Sequence, residues 1–288
     1  MWNTDGRVSV ATIAPRHGVM LYHNHDGPPR SHRQRFRSPD TGRRHDRRGV
    51  ARRRLGDPVN FPPIRLDHLT LRHGSREVLR DLTGTFSPGS LTALTGENGA
   101  GKTTLLRALA GLHPPKSGTI DRGGLKPSDI ALLPQGSQLD RSFPIACRDV
   151  VALGLSGRMG PFRGIGHNQL KEAEQALATV GLPDLGGRAI GALSAGQFQR
   201  ILFARLILQD APVLLLDEPF AAVDTATAHD LLGILHRWHK QGRTIVTVLH
   251  DLDMARAHFP DTLHLNAGQA VWGPTVGHIA PWAPRAAA

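Results

Sequence analysis

One stretch of the sequence decides the fold, and it reads Gly96-Glu97-Asn98-Gly99-Ala100-Gly101-Lys102-Thr103. It follows residues 90–95 (Ser-Leu-Thr-Ala-Leu-Thr), which read as a buried strand, and precedes residues 103–112, where leucines recur at helical spacing, so it joins a strand to a helix. In this context the spacing G-x-x-x-x-G-K-T is that of a P-loop, whose backbone N–H groups surround a phosphate at a helix N-terminus. The stretch therefore predicts a nucleoside triphosphate site in an α/β fold.

The residues at the end of this loop predict how the phosphates are held. Lys102 would neutralise the β- and γ-phosphates, and Thr103 offers a hydroxyl oxygen of the kind that Mg²⁺ prefers. Thr104 would add hydrogen bonds toward the α-phosphate. The loop thus predicts that the triphosphate is bound together with Mg²⁺.

Two adjacent carboxylates form a second candidate group. Asp217 and Glu218 follow the apolar run 213–216, which places them at the C-terminal edge of a buried strand, where ligands bind in open α/β sheets. Asp217 would hold Mg²⁺ through its water shell, and Glu218 would orient and polarise the attacking water. The pair therefore predicts hydrolysis of the bound triphosphate.

Two further polar residues follow predicted strands. His250 comes directly after residues 244–249, and Gln135 comes after the short apolar run 130–134. The imidazole of His250 could hydrogen-bond the γ-phosphate or hold the water, while the amide of Gln135 could ligate Mg²⁺ and sense the γ-phosphate. With Lys102 and Glu218, they complete the set of candidate catalytic residues.

The remaining apolar pattern predicts the architecture. Short apolar runs between residues 64 and 86 are separated by turn residues and indicate antiparallel strands, whereas strands and helices alternate further on, as in a parallel sheet. We therefore predict an α/β fold with a mostly parallel core sheet and an antiparallel N-terminal β subdomain. Cys147 is the only cysteine, which excludes an intramolecular disulfide. No run approaches the roughly 18 to 20 apolar residues that cross a bilayer.

The net charge of +11 is concentrated at the N-terminus. Residues 1–56 contain 13 arginines and four aspartates, a net charge of +9, so the remainder carries only +2. Segment 1–60 lacks apolar periodicity and is broken by prolines, and we expect it to be disordered. Three interpretations stay open: a basic arm for nucleic acid or an anionic membrane surface, a solvated tail without a role, or a stretch translated from a start codon assigned too early.

A further motif completes a known set. Residues 193–197 read Leu-Ser-Ala-Gly-Gln, which resembles the LSGGQ signature of the nucleotide-binding subunits of ABC transporters. The order of P-loop, glutamine, signature, paired carboxylates and histidine is also that of this family. The resemblance covers about residues 64–275. It implies an ABC cassette of the P-loop NTPase fold, with a helical subdomain inserted at about 137–195 and a C-terminal tail at 276–288.

The resemblance implies that ATP is hydrolysed between two subunits. In that family two copies pack head to tail, so Ser194 and Gly196 would contact the γ-phosphate of ATP held by the partner, at a helix N-terminus that favours anions. Ala195 stands where glycine is usual, and Phe198 replaces a common glutamine. We expect these changes to make the signature less than optimal without abolishing its function. The candidate nucleotide contacts outside the P-loop are His73, Ser194, Ala195, Gly196, Gln197 and Asp224.

His73 is the candidate for contact with the adenine. The family carries an aromatic residue upstream of the P-loop that stacks on the base, and His73 is the nearest match in this chain. An imidazole stacks more weakly than a tyrosine. The alternative is an ordinary turn histidine at the end of a strand.

The resemblance also implies a role in transport. Residues 138–145, 149–151 and 160–163 look like the corresponding parts of zinc- and manganese-type metal importers, with zinc favoured over manganese. Such a subunit would lie at the cytoplasmic face of the cell membrane as a peripheral protein. It would pair with a second copy and an integral membrane permease, and act indirectly with an extracytoplasmic metal-binding protein.

Other functions stay open. The chain could serve an importer of an iron chelate, haem or cobalamin, or an exporter. A soluble ABC ATPase acting on nucleic acid or ribosomes is a different class, but such proteins usually carry two cassettes or a long coiled-coil insertion, so nucleic acid is not an expected partner. Retention of Lys102, Asp217, Glu218 and His250 argues against a non-catalytic regulator.

Overall fold

The computed structural model describes residues 61–136, 139–159, 164–221, 223–266 and 268–275. Segment 1–60, residues 160–163 and the C-terminal tail 276–288, which carry expectations from the sequence, lie outside the described residues. The described part of the chain contains two β-sheets and seven α-helices.

An antiparallel sheet of three strands comes first. Strand β1 (Ile64–His73) lies between β2 (Arg76–Phe86) and β4 (Ser117–Asp121) and pairs antiparallel with both. Two residues, Gly74 and Ser75, join β1 to β2, and Gly74 has a φ of 60°, in the left-handed region that glycine enters without steric cost. This sheet confirms the predicted antiparallel N-terminal β subdomain.

A six-stranded sheet forms the centre of the fold, in the order β5-β6-β7-β3-β8-β9. All neighbouring strands are parallel except β8 and β9. The strands are β3 (Leu91–Gly96), β5 (Ile130–Leu133), β6 (Val213–Leu216), β7 (Thr244–Val248), β8 (Asp261–Asn266) and β9 (Gln269–Pro274). The mostly parallel sheet confirms the predicted α/β fold.

Seven α-helices flank these strands within the described residues. They are α1 (Lys102–Leu109), α2 (Cys147–Ala152), α3 (Ser156–Met159), α4 (His167–Thr179), α5 (Ala195–Gln209), α6 (Thr225–Lys240) and α7 (Leu252–His258). Helices α2, α3 and α4 come between β5 and α5, in the stretch where a helical subdomain is expected.

Helix α1 ends earlier than the leucine spacing predicts. The helix stops at Leu109, and Leu112 is 68% exposed. Gly111 has a φ of 76°, and the N–H groups of Gly111 and Leu112 donate to the carbonyls of Ala108 and Arg107 at 3.0 and 2.8 Å. These bonds close the helix in a left-handed turn, so the fourth leucine of the pattern leaves the buried face.

The hydrophobic core lies on both faces of the six-stranded sheet, as strand β6 shows. Leu214 and Leu216 pack in a cluster with helices α2, α4, α5 and α6, whereas Val213 and Leu215 pack in a cluster with α1 and the three-stranded sheet. Because successive side chains of a strand point to opposite faces, a strand covered on both sides reads as a continuous apolar run. The same packing leaves the C-terminal ends of the strands as the place where polar side chains can gather.

Candidate nucleotide-binding site

The P-loop runs from the C-terminal end of β3 into the first turn of α1. Gly96, Gly99 and Gly101 have φ values of 140°, 80° and 98°, which residues with a side chain rarely adopt. A Cβ at Gly96 would lie 2.2 Å from the carbonyl oxygen of Leu265, and one at Gly101 would lie 3.1 Å from Cγ of Leu79. The loop therefore needs glycine at both of these positions, because β8 and β2 lie directly against it.

The P-loop lysine is folded into the loop. Lys102 is 6% exposed, and its Nζ donates hydrogen bonds to the carbonyl oxygens of Gly96 at 2.7 Å and Glu97 at 2.9 Å. Burial lowers the pKa of the ammonium, and the nearby carboxylates of Glu218 and Asp217 oppose that effect. The lysine thus shapes the loop and brings a cation to the predicted position of the phosphates.

Asp217 lies buried beside the P-loop threonine. The carboxylate is 3% exposed and hydrogen-bonds with the side chain of Thr103. Burial raises the pKa of Asp217, and Glu218 adds to this rise, while the Thr103 hydrogen bond, Arg107 and Lys102 oppose it.

One oxygen of Asp217 meets the requirement of a cation site. Within the described residues, its Oδ1 is buried and accepts no hydrogen bond. A buried carboxylate oxygen without a donor is costly unless it binds a cation, and Mg²⁺ prefers hard oxygen ligands such as carboxylate and hydroxyl. Asp217 and Thr103 therefore fit the predicted magnesium site.

Glu218 links the ends of three neighbouring strands. Its Oε2 accepts a hydrogen bond from Nε2 of Gln135 at 2.7 Å, and its Oε1 lies 2.6 Å from Nε2 of His250. Gln135 follows β5, Glu218 follows β6 and His250 follows β7, so the parallel order of these strands brings the three side chains to one edge. Glu218 also has a φ of 51°, a strained backbone for a residue with a side chain and common at functional sites.

A cavity of about 280 Å³ lies over the P-loop. His73, Lys102, Thr103, Thr104 and Glu218 are among its lining residues, so the phosphate-binding loop, the predicted base and the predicted adenine contact share one recess. Glu97, Asn98 and Ala100 line an adjoining cavity of about 340 Å³. The adenine contact by His73 remains a prediction, because the cavity shows only that its position allows it.

The cavity also contains a residue that the sequence did not single out, Arg76. It lines both cavities, and the register of β1 and β2 pairs it with His73 across the two-residue turn. Paired residues on antiparallel strands extend their side chains to the same face of the sheet. The turn spacing in the sequence could have indicated this pairing, but nothing local indicated that this face lies over the P-loop.

The signature residues form the beginning of helix α5. The Oγ of Ser194 accepts a hydrogen bond from N of Gln197 at 3.2 Å, and Oε1 of Gln197 accepts one from N of Ser194 at 3.1 Å, a reciprocal capping box. Ser194 and Ala195 are exposed to solvent, and Gly196 is half-buried. The helix N-terminus is thus capped and open to an approaching group.

Asp224 lies next to the signature and caps a second helix, α6. Its Oδ1 and Oδ2 accept hydrogen bonds from N and Oγ1 of Thr227 at 2.8 and 2.9 Å, which lower the pKa of the carboxyl. A Cβ at Gly196 would lie 3.7 Å from Oδ2 of Asp224. The neighbouring Ala222 lies outside the described residues.

The predicted site residues therefore form two groups. The first group surrounds the P-loop cavity, and the second, residues 194–197 with Asp224, forms a separate corner at the N-termini of α5 and α6. Among the described residues, no hydrogen bond joins residues 194–197 to the P-loop. The first group can bind a triphosphate, hold a cation and place a carboxylate beside both.

The chain is similar in sequence to known ATP-binding proteins of transport systems. A family model described as ABC transporter matches residues 79–221. The manganese transport system ATP-binding protein MntB of Bacillus subtilis is 36% identical over 217 residues, which are 74% of this chain and 87% of that protein. The zinc transport system ATP-binding protein TroB of Treponema pallidum is 37% identical over 207 residues, 70% of this chain and 78% of that protein.

Solved structures show the same fold. An ABC transporter assigned to the metal-chelate type, solved in an inward-facing conformation, matches with a TM-score of 0.67 at 30% identity, over 74% of this chain and 83% of that chain. The ATP-binding cassette MJ0796, solved as a dimer with ADP and Pi, matches with a TM-score of 0.64 at 23% identity, over 74% of this chain and 98% of that chain.

A glycine-rich loop with a buried lysine, at the edge of a parallel sheet that also holds two carboxylates, defines a P-loop nucleoside triphosphatase. The sequence identity to the relatives, and the share of each chain that is matched, define the family within this class. The chain belongs to the ATP-binding proteins of ABC transporters, and it is an ATPase.

Proposed function

We propose that this chain hydrolyses ATP to drive uptake of a divalent transition metal, zinc or manganese, through a separate membrane permease. The relatives named above are ATP-binding proteins of manganese and zinc transport systems, and they resemble this chain to the same degree. They support metal transport without separating the two ions. Among the described residues, no helix combines the length and apolar character of a membrane span.

The chemistry of the proposed reaction follows from the cavity over the P-loop. Lys102 and the loop N–H groups would bind the phosphates, while Thr103, Asp217 and Gln135 would hold Mg²⁺, which when bound neutralises phosphate charge. The oxygen of a water molecule would form a bond to the γ-phosphorus while the bond between that phosphorus and the β–γ bridging oxygen breaks. The products are ADP and phosphate.

The observation that carries this proposal is the position of Glu218. Its carboxylate accepts from Gln135 and contacts His250, and both contacts hold it beside Asp217 and the P-loop cavity. Glu218 would take the proton of the attacking water, as a general base must, and His250 would keep the carboxylate in place.

The second group of site residues supports a dimer. Ser194 and Ala195 are exposed at the N-terminus of α5, which offers backbone N–H groups and a positive dipole. We infer that this corner meets ATP held by a second copy, so that two ATP molecules lie between two cassettes. The cassette would comprise residues 64–275 with a helical subdomain at 137–195, and it would sit on the permease at the cytoplasmic face of the membrane.

The test is the metal content of metal-starved cells that carry either the unchanged chain or Lys102→Ala, measured by mass spectrometry. A second inactive variant, Glu218→Gln, leaves the P-loop lysine in place and controls for damage to the loop. We expect both variants to lower the cellular content of either zinc or manganese selectively. The metal whose content falls identifies the transported ion. Unchanged content of both metals would contradict metal uptake, and an increase would show export.

A second candidate substrate is a metal chelate. The structural match to a transporter assigned to the metal-chelate type, at 30% identity, is the observation that favours it. Adding iron chelates to the same cells separates the two candidates. A chelate transporter would lose iron uptake in Lys102→Ala cells while free zinc and manganese stay constant.

A further inference from the structure

Phe198, one of the departures from the family signature, is buried in the core and contacts an arginine through its ring. The ring is 4% exposed in the first turn of α5, and the guanidinium of Arg141 lies over it at 4.7 Å from the ring centroid. A guanidinium over an aromatic face is attracted by the ring quadrupole, and more strongly when water is excluded. The aromatic residue thus has a specific partner outside its own helix.

The same guanidinium holds the backbone that leads into the signature. Arg141 donates hydrogen bonds to the carbonyl oxygens of Ile190, at 3.3 Å, and of Leu193. Leu193 directly precedes Ser194, the residue that caps α5. A planar guanidinium can stack through its face and donate through its edge at the same time, which a lysine ammonium cannot do.

Arg141 also belongs to the segment that begins at the Glu218 contact. Gln135 starts this segment and donates to Glu218, and the next residue, Gly136, packs on α5, where an added Cβ would lie 3.3 Å from Oε1 of Gln199. The segment therefore contacts Glu218 at one end and the first turns of α5 at the other. Residues on either side of 137 and 138, which lie outside the described residues, thus reach the phosphate site and the signature helix.

We propose that Arg141 and Phe198, together called the Arg141 clasp, set the position of Ser194 relative to Glu218. Arg141 is then a positioning residue for the ATP that a second copy holds. This inference rests on the proposed dimer, because Ser194 acts on the partner's nucleotide and not on the nucleotide in its own P-loop. Loss of the clasp would weaken closure of the two copies while leaving ATP binding to each P-loop intact.

The experiment uses the full chain in a Glu218→Gln background, in which ATP is bound and not consumed. The ATP-dependent dimerisation constant is measured by analytical ultracentrifugation, and ATP affinity at low protein concentration reports the P-loop alone. The variants are Arg141→Lys, which keeps the charge, Phe198→Leu, which keeps an apolar side chain, and Phe198→Tyr, which keeps the ring.

We expect Arg141→Lys and Phe198→Leu to weaken dimerisation about tenfold, the range of a desolvated cation–π contact. Phe198→Tyr should retain dimerisation at the parent level. The double variant Arg141→Lys with Phe198→Leu should dimerise no more weakly than the weaker of the two single variants, since both changes remove one interaction. ATP affinity should stay within about twofold of the parent, because its cavity is lined by other residues.

Arg243 supplies a matched control at the other end of α5. Its guanidinium lies 5.9 Å from the ring centroid of Trp238 and donates to the carbonyl of Ala211 and to Asp210, which caps the C-terminus of α5. Arg243→Lys removes similar contacts at the C-terminal end of α5, the end opposite the signature, and dimerisation should be unchanged.

Three outcomes would overturn the inference. Dimerisation of the clasp variants at the parent level shows that the clasp does not position Ser194. An equal loss in Arg243→Lys, or a parallel loss of ATP affinity, shows general damage to the fold. A parent that stays monomeric with ATP overturns the proposed dimer itself, and that result is distinct from failure of the clasp alone.

Discussion

The phosphate half and the signature half of the site are built in different ways. In the phosphate half, Lys102 and Asp217 are buried, and polar contacts connect residues that follow different strands. In the signature half, Ser194 is exposed and its hydrogen bonds are confined to the first turn of its own helix. One half is assembled by the sheet, and the other is a capped helix end.

This difference teaches where each half obtains its geometry. Buried side chains at the ends of parallel strands are held by packing on both faces of the sheet, so the phosphate half is preorganised within one chain. The position of an exposed helix end depends on the contacts that fix the helix. Here these contacts include that of Arg141 with the ring of Phe198. We therefore expect changes in the two halves to have separable effects on ATP binding, turnover and assembly.

The largest expected effect comes from removing the general base of the phosphate half. Glu218→Gln keeps a side chain of the same size and an oxygen that can accept from Gln135, but it cannot take a proton from water. We expect turnover to fall about 10³-fold, the range for loss of general base catalysis, with ATP affinity retained. Steady-state hydrolysis and equilibrium ATP binding check this. A variant that still hydrolyses ATP rapidly would show that another group is the base.

A smaller loss is expected from the signature half. Ser194→Ala removes the outward-facing hydroxyl that caps α5, so turnover should fall about tenfold. Loss of the cap should also lower the stability of the fold by about 1 kcal/mol. ATP affinity of the isolated chain should not change, because Ser194 does not line the P-loop cavity. Ser194→Thr, which keeps the hydroxyl, is the control and should retain most of the activity. Equal loss of ATP affinity would mean that the two halves are not separable.

Substitution of His73, the predicted adenine contact, should change ATP affinity, and its effect should be smaller than that of Ser194→Ala on turnover. His73→Ala should weaken ATP affinity about fivefold, since base stacking on aromatic side chains is worth about 1–3 kcal/mol and an imidazole is a small ring. His73→Tyr should bind ATP more tightly than the unchanged chain. Titration with a fluorescent ATP analogue measures both. If neither substitution changes affinity, His73 is an ordinary turn residue, and Arg76 becomes the residue to test.

The smallest expected effect is on stability. The pKa of Asp217 is raised by burial, so the native state binds a proton more tightly than the unfolded state, and stability falls as pH rises from the ordinary carboxyl range through the raised pKa. Asp217→Asn removes this cost. Without Mg²⁺ or nucleotide, its Tm at pH 8 should exceed that of the unchanged chain by about 2–4 °C, as expected for roughly 1 kcal/mol in a chain of this size.

The pH dependence provides the control for this stability prediction. At pH 5 a larger share of Asp217 is protonated in the native state, so the advantage of the variant should shrink. Calorimetry at both pH values measures this difference. A variant that is less stable than the unchanged chain at pH 8 would show that the Thr103 contact outweighs the cost of burying the charge.

Much of the phosphate half could be predicted because its motifs are local. A P-loop is a run of consecutive residues, and Asp217, Glu218 and His250 directly follow apolar runs that read as buried strands. Their convergence follows from one rule, that parallel strands end at the same edge of a sheet. The end of α1 was missed because the apolar spacing continues to Leu112, while Gly111 already turns the backbone away.

The sequence by itself determined the P-loop, the acidic pair and the signature, since each depends on neighbouring residues and on short-range backbone preferences. Only the tertiary structure decided that the face carrying His73 and Arg76 lies over the P-loop, and that Arg141 covers Phe198. These contacts depend on how a sheet or a helix packs against a segment that is distant in sequence. Such packing is set by the shape of the whole core, and residue spacing along the chain does not encode it.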